Sequence, residues 1–141
     1  MQMFVAGQWQ GRSESIKVVN PFNGEVIDTV PRGAASDVDQ ALTVLVEGAT
    51  LMRAMPSAQR CQLLQAAARL LMERAPEIAR TITLEEGKIL AESQLEVSRA
   101  AETITVAAEE AKRITGEVIP LDAAPGGAGK FGFTLRVPCG I

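Results

Sequence analysis

The feature that most constrains this chain is a change of hydrophobic period at Ser36. Before it, apolar residues fall in short β-branched runs separated by turn residues. After it, as far as Gly116, they recur at helical spacing. Val38, Ala41, Leu42, Leu45, Val46 and Ala49 stand at i, i+3, i+4, i+7, i+8 and i+11, which predicts one buried stripe on a first helix. Ser36 is the expected N-cap, with Asp37 and Asp39 in the first turn, where carboxylates favour the helix dipole. Met55-Pro56 ends that helix and Ser57 is placed to cap a second, with Leu63, Leu64, Ala67, Leu70 and Leu71 as its apolar face. Pro76 fits the first turn of a third helix, where its missing N–H costs nothing, and Gly87 fits the end. A fourth helix is predicted from about Ile89 to Thr115, stopped by Gly116. Its Val97, Ala101, Ile104, Ala108 and Ala111 share a face, and the alanines predict close packing.

The flanks read differently. Phe4-Val5-Ala6 and Trp9 bracket Gly7-Gln8, an expected tight turn. Ile16–Val19 and Val26–Val30 read as strands joined by the turn Asn20-Pro21-Phe22-Asn23-Gly24. Beyond the helices, Glu117–Asp122 and Phe131–Val137 read as strands, with Ala123–Gly129 as a loop. The order is strands over about 3–30, helices over about 36–115 and strands over about 117–141, an α+β arrangement in isolation. The few terminal strands leave edges that need partners.

Composition removes several classes of function. The 141 residues suffice for one domain with a real core. A net charge of −3 with no clustered Lys or Arg argues against nucleic acid as a partner. No apolar run approaches a bilayer span, so no membrane partner is expected. Met1-Gln2-Met3-Phe4 opens no secretory signal, and a reduced, cytoplasmic chain is expected. The absence of His removes Ser-His-Asp and Cys-His catalysis within this chain, and His-ligated metal sites with it. Two distant cysteines, Cys61 and Cys139, do not make a thiolate metal site alone, and whether they pair stays open.

Each conspicuous motif has a plain structural reading. Gly126-Gly127-Ala128-Gly129 precedes a strand, whereas a phosphate cradle needs a helix next, so a surface hairpin loop is expected. Cys61 and Cys139 read as buried small hydrophobes, with Arg136 directed to the opposite face of Cys139's strand. Arg99 has Glu96 and Glu102 three residues away on either side, and so reads as one half of a surface ion pair. Glu85 and Glu86 beside Lys88 read as a solvated helix end, and Glu109 is spaced to pair with Arg113.

Taken in order, these residues resemble the N-terminal part of the aldehyde dehydrogenase superfamily. The resemblance rests on Phe4-Val5-x-Gly7-x-Trp9, Val19-Asn20-Pro21-x-x-Gly24-Glu25-Val26-Ile27 and Asp37-Val38-Asp39-x-Ala41. It continues through Arg60 with Leu63-Leu64, Leu70-Leu71-x-x-Arg74, and Thr83-Leu84-Glu85-x-Gly87-Lys88. Glu96-Val97-x-Arg99-Ala100-Ala101, Gly116-Glu117-Val118-Ile119-Pro120 and Arg136-x-Pro138-x-Gly140-Ile141 complete it. Glu96-Val97-Ser98-Arg99 and Pro138-Cys139-Gly140 are most similar to bacterial members acting on lactaldehyde-like or phosphorylated small aldehydes, the non-phosphorylating glyceraldehyde-3-phosphate type included.

The resemblance implies an α/β fold, of which residues 1–141 form the N-terminal segment. It implies oxidation of a small, anionic aldehyde to the acid through a Cys thioester, with NAD or NADP as cofactor. It also implies a dimer or tetramer built on an oligomerisation sheet that the terminal strands join. The family's catalytic Cys, Glu and Asn, and its cofactor residues, fall beyond the position of Ile141, and Cys139 does not match the nucleophile. This chain alone is therefore expected to be inactive. Arg99 matches a position that, in the glyceraldehyde-phosphate-like members, contributes to holding an anionic substrate, a task suited to the planar guanidinium fork. Glu85 matches a carboxylate that, with backbone carbonyls near Val18 and Val19, helps bind an alkali cation in some members. The alternative function is a non-catalytic helical interaction module derived from the family.

Overall fold

The computed structural model describes residues 1–139. Two hairpins open it. β1 (Met3–Val5) and β2 (Gln8–Gln10) pair antiparallel, with Phe4 across from Trp9 and their rings 5.1 Å apart. The turn is Ala6-Gly7, one residue earlier than expected. Both residues have positive φ, 52° and 78°, the combination whose twist matches a two-residue hairpin. β3 (Ser15–Val19) pairs with β4 (Val26–Pro31) around the expected turn. There Asn20 Oδ1 accepts the Phe22 N–H at 2.9 Å, and Gly24 takes a φ of 76°. The register shifts between Val18 and Val19, leaving Ile27 without a partner across the ladder.

Helix α1 (Ala35–Ala54) begins two residues earlier than expected: its N-cap is Ala34, not Ser36. Asp37 decides this. Its carboxylate accepts the Ala34 N–H at 2.8 Å and is paired with Arg12, so the third helical residue does the capping from inside. The stripe read as buried is open. Val38, Leu42, Leu45 and Val46 are 45% to 62% exposed, because α1's main neighbour is only the small β1.

Helix α2 (Ser57–Glu73) starts after Pro56, with Ser57 inside it rather than capping it. The face it buries carries Cys61 and Ala68, with Leu64 and Leu71 half-buried, while Leu63 and Leu70 of the expected face stay exposed. Helix α3 (Ala75–Glu86) has Pro76 in its first turn and ends at Gly87, whose φ of 79° is the left-handed stop expected. Helix α4 (Leu90–Glu110) ends five residues short of the predicted Thr115. Lys112 and Arg113 donate their N–H groups to the carbonyls of Glu109 and Glu110, tightening the last turn to i,i+3 and releasing the chain.

Gly116 serves something other than a helix stop. A Cβ there would lie 1.7 Å from the Thr134 carbonyl oxygen, so only glycine lets the two strands meet. The strands themselves, β5 (Val118–Ile119) and β6 (Gly132–Phe133), are shorter than the runs that predicted them. Residues 134–139 continue without regular structure, and Gly140 and Ile141 of the expected last strand lie outside the described residues. Among the described residues the three hairpins pair only within themselves, not in a common sheet.

The core lies where α2 and α3 pack on α4. It is built from Cys61, Ala68, Ala79, Val97, Ala101 and Ala108, at most 7% exposed, with Ser93 fully buried among them. Small residues allow the close approach that the alanine content predicted. Ser93 is satisfied by Thr83, the two hydroxyl oxygens lying 2.9 Å apart. No helix of the described residues is long and apolar enough to cross a membrane.

Candidate functional site

Glu85, Glu86 and Lys88, three of the charged residues singled out from the sequence, lie at the corner between α3 and α4. Gly87 donates its N–H to the Thr83 carbonyl at 3.0 Å, and the positive φ turns the chain sharply toward α4. Pro21 packs on the same glycine, where a Cβ would meet Pro21 Cγ at 2.8 Å. The end of β3 is thereby brought beside the end of α3, so Val18, Val19 and Glu85 lie on adjoining segments. Glu85 is exposed, and among the described residues no three Asp, Glu or Cys side chains cluster as a metal site would require.

Lys88, read from the sequence as part of a solvated helix end, is the hub of this corner. Its ammonium donates to Glu96 at 2.5 Å and lies 2.8 Å from Glu86. These hydrogen bonds, Glu86's first, hold its pKa above the ordinary lysine value. The sequence signal was present in Glu86, Lys88 and Glu96, but a loop between helices has no fixed spacing rule to reveal it.

Arg99 lies on an exposed part of α4, beside a depression of about 310 Å³ shared with Glu102, Thr103 and Val106. Among the described residues it forms no salt bridge, so neither expected pairing, with Glu96 or Glu102, is made. Glu109 likewise pairs with Lys112 at 2.7 Å rather than with Arg113, which turns to Glu110 at 2.5 Å once the helix has ended.

A second concavity was not foreseen. A groove of about 610 Å³ runs between α1, the start of α2 and the segment Arg136–Cys139. Leu45, Ala49 and Met52 give it an apolar wall, and Arg53, Arg60 and Arg136 converge on it. Arg60 donates to the Met55 carbonyl at 2.8 Å, while its buried Nε has no partner among the described residues. Cys139 is exposed here rather than buried, and it lines the same groove as Arg136 rather than facing away, because residues 136–139 are not a strand. Cys61 is buried as expected, and both thiols are free. The glycine run 126–129 forms the expected hairpin loop leading to β6. It offers no helix N-terminus on which a dinucleotide pyrophosphate would rest.

Residues 9–141 match the aldehyde dehydrogenase family. This chain belongs to that family. The 3-sulfolactaldehyde dehydrogenase of Priestia aryabhattai is 34% identical over 139 residues, 99% of this chain and 29% of that protein. Among solved structures, aldehyde dehydrogenase 21 from Physcomitrella patens, in complex with its reaction product succinate, superposes with a TM-score of 0.87. It is 35% identical and is matched over 94% of this chain and 28% of its own. Lactaldehyde dehydrogenase from Escherichia coli superposes with a TM-score of 0.81 at 33% identity, over 86% of this chain and 26% of its own. The chain thus spans less than a third of the aldehyde dehydrogenases it matches. The helices and short strands are those of the N-terminal part of the aldehyde dehydrogenase fold.

Proposed function

We propose that this chain is the N-terminal part of an NAD- or NADP-dependent aldehyde dehydrogenase that oxidises a small, anionic aldehyde to its acid. The family match along almost the whole chain supports the reaction class. The observation that carries the anionic preference is Arg99, a guanidinium on α4 with no carboxylate partner among the described residues. An exposed, unpaired fork presents its donors to a sulfonate, phosphate or carboxylate at little desolvation cost.

In this reading the chain supplies substrate positioning and the scaffold, and the nucleophilic Cys, the Glu, the Asn and the cofactor residues come from elsewhere in a longer polypeptide. The purified 141 residues are then catalytically silent with either nicotinamide cofactor. Reduction of NAD or NADP by this chain in the presence of an aldehyde would overturn that division. In the longer enzyme, Arg99→Ala raises KM for anionic aldehydes and spares neutral ones, and equal effects on both would remove Arg99 from the substrate site. The enzyme is proposed to be a dimer or tetramer, its hairpins completed by strands from elsewhere.

Glu85, with the carbonyls of Val18 and Val19, is proposed to hold an alkali cation. Support comes from the Pro21–Gly87 contact, which brings the end of β3 beside the end of α3, and from the backbone carbonyls at the shifted register of Val18 and Val19 and at the C-terminal end of α3, which are hard oxygen donors. A melting temperature identical in sodium, potassium and choline chloride would argue against it.

A further inference from the structure

We propose that Lys88 is a positioning residue that keeps Glu96 away from Arg99, leaving the Arg99 guanidinium free for an anion. The inference rests on Arg99 as the anion-holding residue proposed above. Glu96 and Arg99 stand three apart on α4, a spacing at which opposite charges ordinarily pair. They do not pair here. Glu96 instead accepts from Lys88, which sits just outside the N-terminal end of α4 and is held from its other side by Glu86 at 2.8 Å. Two carboxylates hold the one ammonium from opposite sides, and the left-handed turn at Gly87 fixes where the lysine begins. Glu102, the other acid within reach of Arg99, lines the same depression but makes no salt bridge among the described residues. The corner thus leaves one cation of α4 unneutralised, next to a concavity.

Loss of the lysine frees Glu96 to swing along the helix to Arg99. An i,i+3 pair of this kind competes with an external anion by roughly twofold in apparent affinity. The test uses the 141-residue chain, with inorganic sulfate as probe. The readout is the rate at which phenylglyoxal modifies Arg99, followed by peptide mass spectrometry at constant ionic strength. In the unaltered chain, Arg99 is modified readily and sulfate protects it. Lys88→Met slows modification and weakens the protection about twofold, and Lys88→Arg leaves both unchanged. The double variant Lys88→Met with Glu96→Gln restores the original behaviour, because the competing carboxylate is gone.

A double variant that behaves like Lys88→Met alone would overturn the proposal, since the lost lysine charge rather than the released glutamate would then be responsible. Lys88→Met without effect, in a chain that sulfate still protects, would also overturn it while leaving Arg99 as the anion site. Absence of protection in the unaltered chain would remove the anion site itself, and the role of Lys88 with it. Far-UV circular dichroism of each variant establishes that α3 and α4 are retained.

Discussion

Asp37 shows how much one side chain organises. Its carboxylate binds Arg12 and caps α1 at Ala34, tying the N-terminal segment to the first helix. The Arg12 hydrogen bond, followed by that from the Ala34 N–H, holds its pKa below the ordinary 3.8. A carboxyl lowered by folding stabilises the fold above its unfolded pKa, and that contribution fades as pH falls through the folded value. Asp37→Asn should therefore lower the melting temperature at neutral pH, with the gap between variant and parent closing below about pH 4 in thermal melts. Two glycines give a contrasting pair. Gly116→Ala places a methyl against the Thr134 carbonyl and should open the β5–β6 hairpin, read as fast hydrogen exchange at the Thr134 amide. Gly48, inside α1 with open space around it, should accept alanine and gain roughly 0.5–1 kcal/mol in denaturant unfolding, because alanine loses less backbone freedom in a helix.

At the scale of the element, the α2–α4 interface depends on small residues. Ala108 has no exposed surface, and Ala108→Leu should force the helices apart at a cost of about 1–3 kcal/mol, measured as a lower urea midpoint. That interface was legible in the sequence, because Val97, Ala101, Ile104 and Ala108 repeat at the period of a helix and the matching groove is filled from within the chain. The turns at Asn20–Gly24 and Gly87 were legible for a similar reason, since their conformations follow from the residues in them. The stripe on α1 was equally regular, yet it lies open, because periodicity identifies an apolar face without naming what covers it. The phase of α2 was missed since Leu63 and Leu70 outweigh Cys61 and Ala68 in hydrophobicity, while the tight approach to α4 favours the smaller pair. The end of α4 was misplaced because Gly116 looked like a helix stop, and its contact with Thr134 joins residues too far apart for local rules. Of the candidate site, Arg99 and Glu85 were visible as types in a pattern, whereas the Lys88 hub and the arginine-lined groove arise only when separate elements are brought together.

For the molecule as a whole, surface area is the telling quantity. A folded monomer of this mass exposes about 7,000 Å². This chain exposes 10696 Å², with Phe22, Leu51, Phe131, Leu135 and Val137 all at least 72% open. Large apolar side chains left open in that number belong under other protein. The isolated chain should associate as its concentration rises, which light scattering on freshly purified material would register. A monodisperse monomer at all concentrations would instead favour the self-sufficient interaction module. The hairpins carry a different consequence, for synthesis. β1 needs only β2, and β3 only β4, all upstream of α1, and the core residues of α2, α3 and α4 all lie within 57–110. Such near-neighbour pairing lets the nascent polypeptide settle piece by piece at the ribosome exit. The open face of α1 is then the part a chaperone would have to shield until its cover is made.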